Sequence, residues 1–242
     1  MSEVRALLFD TFGTLVDWRA GLITQLERWG AAQNVTADWP GLVLAWRRDH
    51  VPALAKVRTG QREWANYDEL QRETMRQLVP QFGLPTLGDD TLGHLARMWH
   101  ELPGWPDTAE GMARLRTKYL VAPLSNGHVA LLMRLARTAG ITFDAVFGAD
   151  VFRQYKPDPQ TYLGAVALLG CTPGEVLFVA SHPSDLEAAA ACGLRTCFVS
   201  RPLEYGAGVV VEPVPVEGDV DVMVSDLLEL ATVLGCEVPQ HH

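Results

Sequence analysis

The sequence predicts an α/β protein: a doubly wound, Rossmann-like parallel sheet with a helical cap inserted after the first strand. Three observations predict it. Short β-rich runs alternate with amphipathic segments through the second half of the 242-residue chain, the pattern of successive strand–helix–strand units. Residues 16–98 break that alternation with 3.6-period apolar patterns and almost no strand signal. An apolar run at residues 4–9 ends in Asp10, which sets a carboxylate at the C-terminal edge of a strand, where open α/β sheets place their ligands.

The elements follow in order. Residues 4–9 read as a buried strand, closed by a turn containing Gly13. In the insertion, Leu22, Ile23 and Leu26, then Leu70, Met75, Leu78 and Val79, mark the buried faces of helices. Further strands are expected at 119–124, 145–147, 176–179 and 196–199, and helices at 108–118, 129–138, 158–169 and 184–191. The Gly-, Val- and Pro-rich segment 204–219 reads as a loop with an edge strand, and 224–234 as a short final helix. The chain thus divides into a Rossmann-like core, residues 1–15 and 99–242, and a helical cap, 16–98. All seven tryptophans lie at or before residue 105, which assigns them to the cap core and its seam with the sheet.

Composition excludes several classes. A content of 48% hydrophobic and 20% charged residues belongs to a folded globular chain. A net charge of -9 with no basic run argues against nucleic acid or an anionic membrane as partner. No apolar segment reaches spanning length, and the N-terminus does not read as a signal peptide. Cys171, Cys192, Cys197 and Cys236 show no metal-ligand spacing, so reduced thiols and a cytoplasmic location are expected. The chain ends in His241-His242, native or a tag remnant.

Four short segments fall at predicted strand ends and would converge on one crevice of such a sheet. They are Asp10-Thr11-Phe12-Gly13-Thr14, Leu124-Ser125-Asn126-Gly127, Tyr155-Lys156-Pro157-Asp158-Pro159, and Val179-Ala180-Ser181-His182-Pro183-Ser184-Asp185. A strand-end aspartate beside a lysine is suited to covalent carboxylate catalysis. His128 reads as an exposed turn residue.

In order and spacing, with a helical segment after the first, these motifs resemble those of the haloacid dehalogenase superfamily of hydrolases, over the whole chain. Most members are phosphatases, which carry a second Asp two residues after the nucleophile and a magnesium-binding Asp at the start of the fourth motif. Here those positions are Phe12 and Ser181, and Asp185 alone remains. Phe12 cannot protonate a leaving alcohol, and a hard dication wants several anionic oxygens. Phosphoryl transfer would lose its main electrostatic aids. A departing halide is a weak base and needs no proton.

The finer resemblance is to the (S)-2-haloacid dehalogenases. It implies Asp10 as nucleophile, Phe12 as the family's aromatic, and Thr14 as the residue that orients the motif. It implies Arg47, in the pair Trp46-Arg47, as receiver of the halide, and Ser125 and Asn126 as contacts to substrate carboxylate and halide. Lys156, Pro157 and Tyr162 match the family's spacing, and Asp185 matches the carboxylate that positions the lysine or the hydrolytic water. Trp64 is the candidate aromatic wall of the cap, and His182 a second candidate base for water. The resemblance implies a small 2-haloacid as substrate, no metal and no cofactor; a homodimer formed through the cap would suit it. Departures are Ala180-Ser181-His182, where Ser-Ser-Asn is common, and Ser184, where an aromatic is common. A magnesium-dependent phosphatase, a hydrolase with another leaving group and a non-catalytic binding protein remain the alternatives.

Overall fold

The computed structural model describes residues 3–216 and 218–236; the His241-His242 pair lies outside the described residues. After β1 (Ala6–Phe9) come four helices, α1 (Trp18–Gln33), α2 (Trp39–Arg58), α3 (Tyr67–Leu78) and α4 (Asp89–Ala96), and a 3-10 turn at Arg97–His100. The chain then alternates: α5 (Thr108–Leu115), β2 (Leu120–Ser125), α6 (Val129–Thr138), β3 (Phe147–Gly148), α7 (Ala149–Phe152), α8 (Pro159–Leu168), β4 (Val176–Ala180), α9 (Pro183–Ala191) and β5 (Arg195–Val199). It closes with β6 (Val222–Val224) and α10 (Leu227–Val233).

The strands form one six-stranded sheet in the order β3-β2-β1-β4-β5-β6, with parallel neighbours throughout. β1 lies between β2 and β4, with Phe9 opposite Pro123 on one side and Val179 on the other. The order reverses at β1, so the crevice between the ends of β1 and β4 is the topological switch point. β1 has no polar face. Leu7 and Phe9 pack into one buried cluster and Ala6 and Leu8 into another, as a strand covered on both faces requires.

Local chemistry starts the helices where the sequence places them. The side chains of Asp17, Asp38 and Asp158 accept backbone N–H bonds at the N-termini of α1, α2 and α8. Asn66 and Glu69 form a capping box on α3. The apolar stripe of the insertion is buried as expected at Leu22, Leu26, Leu70, Met75, Leu78 and Val79. Trp18, Trp46 and Trp99 are fully buried. The Phe12 ring stacks on Tyr67 with centroids 5.1 Å apart and meets Trp99 edge-on at 5.4 Å. The turn after β1 is thereby packed against the helices that follow it.

Three expectations need correction. No strand forms within the described part of 204–219; the edge strand is β6, because Val224 carries the last ladder position opposite Val199. The final helix therefore starts later, at Leu227, where the Asp226 side chain caps it. His128 is no exposed turn residue: its side chain is 15% exposed, and it stands at the N-cap position of α6 beside His100 without a capping hydrogen bond.

Candidate active site

Asp10 sits one residue beyond β1, 7% exposed, with its backbone N–H still donating to Val179. Its two carboxylate oxygens are held differently. Lys156 Nζ donates to Oδ1 at 2.8 Å. The Thr14 hydroxyl donates to Oδ2 at 2.9 Å, and His182 Nδ1 lies 3.2 Å from the same oxygen. Thr14 is placed in turn by the Ser181 N–H, which donates to its Oγ1 at 3.0 Å.

Sequence places these groups through local turns. Gly13 has φ +93°, a conformation that glycine reaches at little cost. A Cβ there would also run into the Glu204 carboxylate. Carbonyls of the turn are tied down from outside it: Trp105 Nε1 donates to Gly13 O at 2.8 Å, Arg201 Nε to Thr14 O at 3.0 Å, and Thr108 Oγ1 to Leu15 O at 2.8 Å. Arg201 is fixed by a bidentate pair with Asp107 at 2.7 and 2.8 Å.

Lys156 bridges two carboxylates. Its Nζ lies 2.5 Å from Asp185 Oδ2, and the Tyr162 hydroxyl donates to Asp185 Oδ1. Its backbone N–H donates to Asn126 Oδ1 at 2.7 Å, which couples the end of β2 to the lysine. Tyr162 is fully buried, so its hydroxyl finds in Asp185 the partner that burial demands. Ser125, 2% exposed, accepts from the Gly127 N–H at 3.2 Å.

Electrostatics follow from this wiring. Burial disfavours the Asp10 anion, but the Lys156 ammonium and the His182 hydrogen bond outweigh it and hold the carboxyl well below the usual carboxylate range. For Asp185, burial and the nearby Asp10 charge win over Lys156 and push its pKa up. Burial would lower the Lys156 pKa, yet Asp10 and Asp185 raise it. His182 behaves likewise. Burial disfavours its cation, but Glu204 and Asp10 raise its pKa well above 6.5. Both carboxylates favour the protonated ring, which counts against His182 as the base for water.

Glu204 is the residue the sequence did not reveal. It is 4% exposed, accepts from Trp18 Nε1 at 2.9 Å, and lies 3.0 Å from His182 Nε2. It occupies the loop after β5, at the same sheet edge as the four motifs. That strand-end position, following Val199 by five residues, was the available signal.

A cavity of about 610 Å³ opens onto Asp10, Lys156, Asp185, Asn126 and His182, and on its helical side onto Arg47 and Leu44. Arg47 Cζ lies 5.5 Å over the Trp18 ring. Burial opposes its charge, but Tyr205, Tyr67, Glu204 and Asp10 together favour the cation. Arg48, at the rim of the same cavity, is exposed and paired with its neighbour Asp49 at 2.6 Å. Tyr205, Val209, Val211 and Glu212 of the loop after β5 close another side. Trp64 is not among the lining residues. Its ring stacks on Tyr155 at 5.0 Å instead, and the Tyr155 hydroxyl donates to Ala65 O at 2.7 Å. Phe12 is likewise committed to Tyr67 and Trp99.

The magnesium set of the phosphatases does not fit this centre. Where it needs a carboxylate at the start of the fourth motif, the structure has the hydroxyl of Ser181. Cationic partners, Lys156 and His182, already take both Asp10 oxygens.

This strand-end carboxylate and lysine, on a parallel sheet with helices inserted after β1, define a class that the comparisons with known proteins identify. A family model described as haloacid dehalogenase-like hydrolase matches residues 4–193, and the chain belongs to that family. Within it, the chain is 30% identical to (S)-2-haloacid dehalogenase 4A of Burkholderia cepacia over 214 residues, 85% of this chain and 88% of that protein. The solved structure of an L-2-haloacid dehalogenase superposes with a TM-score of 0.91 at 45% identity, covering 96% of this chain and 99% of the other. A defluorinating L-2-haloacid dehalogenase superposes with the same TM-score at 39% identity, covering 96% of each chain.

Proposed function

We propose that the chain hydrolyses carbon–halogen bonds, converting small 2-haloacids to 2-hydroxy acids through an ester on Asp10 and without a metal ion. One observation carries this reading. Asp10 is held ionised by Lys156 and faces a cavity that also presents Arg47, while Phe12 packs as a ring where phosphoester chemistry would need an acid. The similarity to the two L-2-haloacid dehalogenases supports it.

An Asp10 oxygen attacks the α-carbon from the face opposite the halogen. The new C–O bond forms as the carbon–halogen bond breaks, and the halide leaves with the electron pair toward Arg47. In the second step Asp185, the carboxylate with the raised pKa, takes a proton from water as that water adds to Asp10 Cγ. Lys156 and the Thr14 hydroxyl steady the negative charge that forms on the Asp10 oxygens. Collapse expels the 2-hydroxy acid, which takes the proton back from Asp185, and Asp10, left as its acid, gives the second water proton to solvent and returns to the anion that Lys156 favours. The α-carbon is inverted, because only the first step touches it.

Two carboxylates about 4 Å apart at an effective dielectric of ~20 repel by roughly 4 kcal/mol. Lys156, His182 and Arg47 offset the charges of Asp10, Asp185 and Glu204, which leaves the site able to accept one more anion. Asn126, which lines the cavity, is assigned to that anion, and Ser125, buried behind it, shapes the turn that carries Asn126. The helices between residues 16 and 98 act as the cap that supplies Arg47 and excludes water.

The test measures halide release from 2-chloropropionate with EDTA present, beside hydrolysis of a phosphate ester with magnesium. The proposal expects the first and not the second, and expects Asp10→Asn to abolish halide release. Magnesium-dependent phosphate release without halide release would overturn it.

A further inference from the structure

Away from Asp10, three side chains from three elements converge. Asp68 lies in the first turn of α3, His100 ends the 3-10 turn after α4, and His128 stands at the N-cap position of α6. His100 Nε2 lies 2.9 and 3.0 Å from the two Asp68 oxygens, and His128 Nε2 lies 3.8 Å from Asp68 Oδ2. The imidazole centroids are 5.4 Å apart, and one potential ligand atom from each residue lies within 4.8 Å of the others.

The geometry points to a binding site for a divalent transition-metal ion, Zn2+ or one of similar chemistry, formed by Asp68, His100 and His128 between the inserted helices and the sheet.

The donor set decides the class of ion. Two imidazole nitrogens and one carboxylate suit Zn2+, Co2+ or Ni2+, whereas Mg2+ and Ca2+ prefer an all-oxygen shell. Bonds of ~2.0–2.1 Å in a tetrahedron put neighbouring ligand atoms roughly 3.3 Å apart, with the fourth position left to water. The 3.8 Å separation of Asp68 and His128 must close by about half an ångström, and the 2.9 Å contact of Asp68 and His100 must open by a similar amount. The two imidazole ligand atoms, within 4.8 Å of each other, must draw together as well.

One further observation separates this cluster from an ordinary buried ion pair. His100 and His128 each keep a buried Nδ1 without a hydrogen-bond partner, so no second hydrogen bond locks either ring, and each can turn its Nε2 toward an ion. An ion here would join segments next to the reaction centre. Tyr67, beside Asp68, carries the stack on Phe12, and His128 follows Asn126, whose amide holds Lys156.

The test uses the full chain, stripped with EDTA and carrying His241→Ala and His242→Ala so that the terminal pair does not compete. Zn2+ is titrated calorimetrically and Co2+ by visible absorption. The proposal expects one Zn2+ per chain, the strong visible bands of four-coordinate Co2+, and a higher Tm with Zn2+. His128→Asn keeps a residue that caps helices well. It and Asp68→Asn should each weaken Zn2+ binding by about a hundredfold or more, since even outer-shell partners are worth 10–100-fold. Absence of stoichiometric binding would overturn the proposal. So would unchanged affinity in both variants, or affinity lost in His182→Gln and kept in His128→Asn, which would move the ion to the reaction centre.

Discussion

His182 Nε2 lies 3.0 Å from Glu204 Oε1, and that carboxylate is almost wholly removed from solvent. The pair favours His182 as a cation behind the nucleophile. Its folded pKa is raised above the ordinary value near 6.5. The stability it contributes is therefore complete below pH ~6.5 and is lost as pH rises through the raised folded value. Glu204 has a depressed pKa, because the His182 cation and its hydrogen bond outweigh burial. Its share is present above its unfolded value and lost as pH falls through the folded one.

Replacing Glu204 tests this directly. Glu204→Gln should lower the His182 pKa and cost about 3 kcal/mol near neutral pH, the loss expected when a buried pair is left with one partner. Urea unfolding at pH 6 and at pH 9 should differ less in the variant than in the parent. An unchanged pH dependence would show that the pair is not coupled.

Gly13 should tolerate no side chain. Gly13→Ala meets both a left-handed backbone and the Glu204 carboxylate, so it should cost more than about 1 kcal/mol. It should also lower kcat, because the same turn carries Thr14 to Asp10. Thermal unfolding and turnover of the purified variant read the two effects separately.

The neighbouring arginines Arg47 and Arg48 should behave differently. Arg47 stands on the buried side of the cavity over Trp18, and Arg48 is exposed and paired with Asp49. Loss of a preorganised charge partner at the reacting centre costs about 10²–10³-fold in kcat. Arg47→Ala should show that loss and Arg48→Ala only a few-fold change, as an exposed pair is worth little. Steady-state halide release on both variants measures it.

Much of this was legible because the relevant signals are local. β1 reads as a strand from its apolar run alone, and Asp10 marks its end. The Asp158-Pro159 pair announces α8, and α6 follows its apolar period from Val129 to Thr138. Lys156 stands in a strand-end segment that the sequence itself marks, whereas Arg47 has no pattern of its own and comes from the resemblance. Glu204 stayed hidden because its partners Trp18 and His182 lie 186 and 22 residues away and its loop has no periodicity. Trp64 was misplaced for a similar reason: nothing local shows that its ring stacks on Tyr155, from a different part of the chain. Asp68, His100 and His128 are separated by 32 and 28 residues, and the packing of the 3-10 turn at Arg97–His100 against α6, with the Asp68–His100 contact, brings them together.

The central claim is that Asp10 itself forms the bond to the substrate carbon. A single turnover in H2(18)O, with enzyme in excess over 2-chloropropionate, tests it most directly. The account predicts a 2-hydroxy acid whose new oxygen is unlabelled, because it comes from Asp10, and an 18O label recovered in the Asp10 carboxylate by peptide mass spectrometry. Label in the product and none in Asp10 would mean that water attacks the substrate carbon directly, and would contradict it.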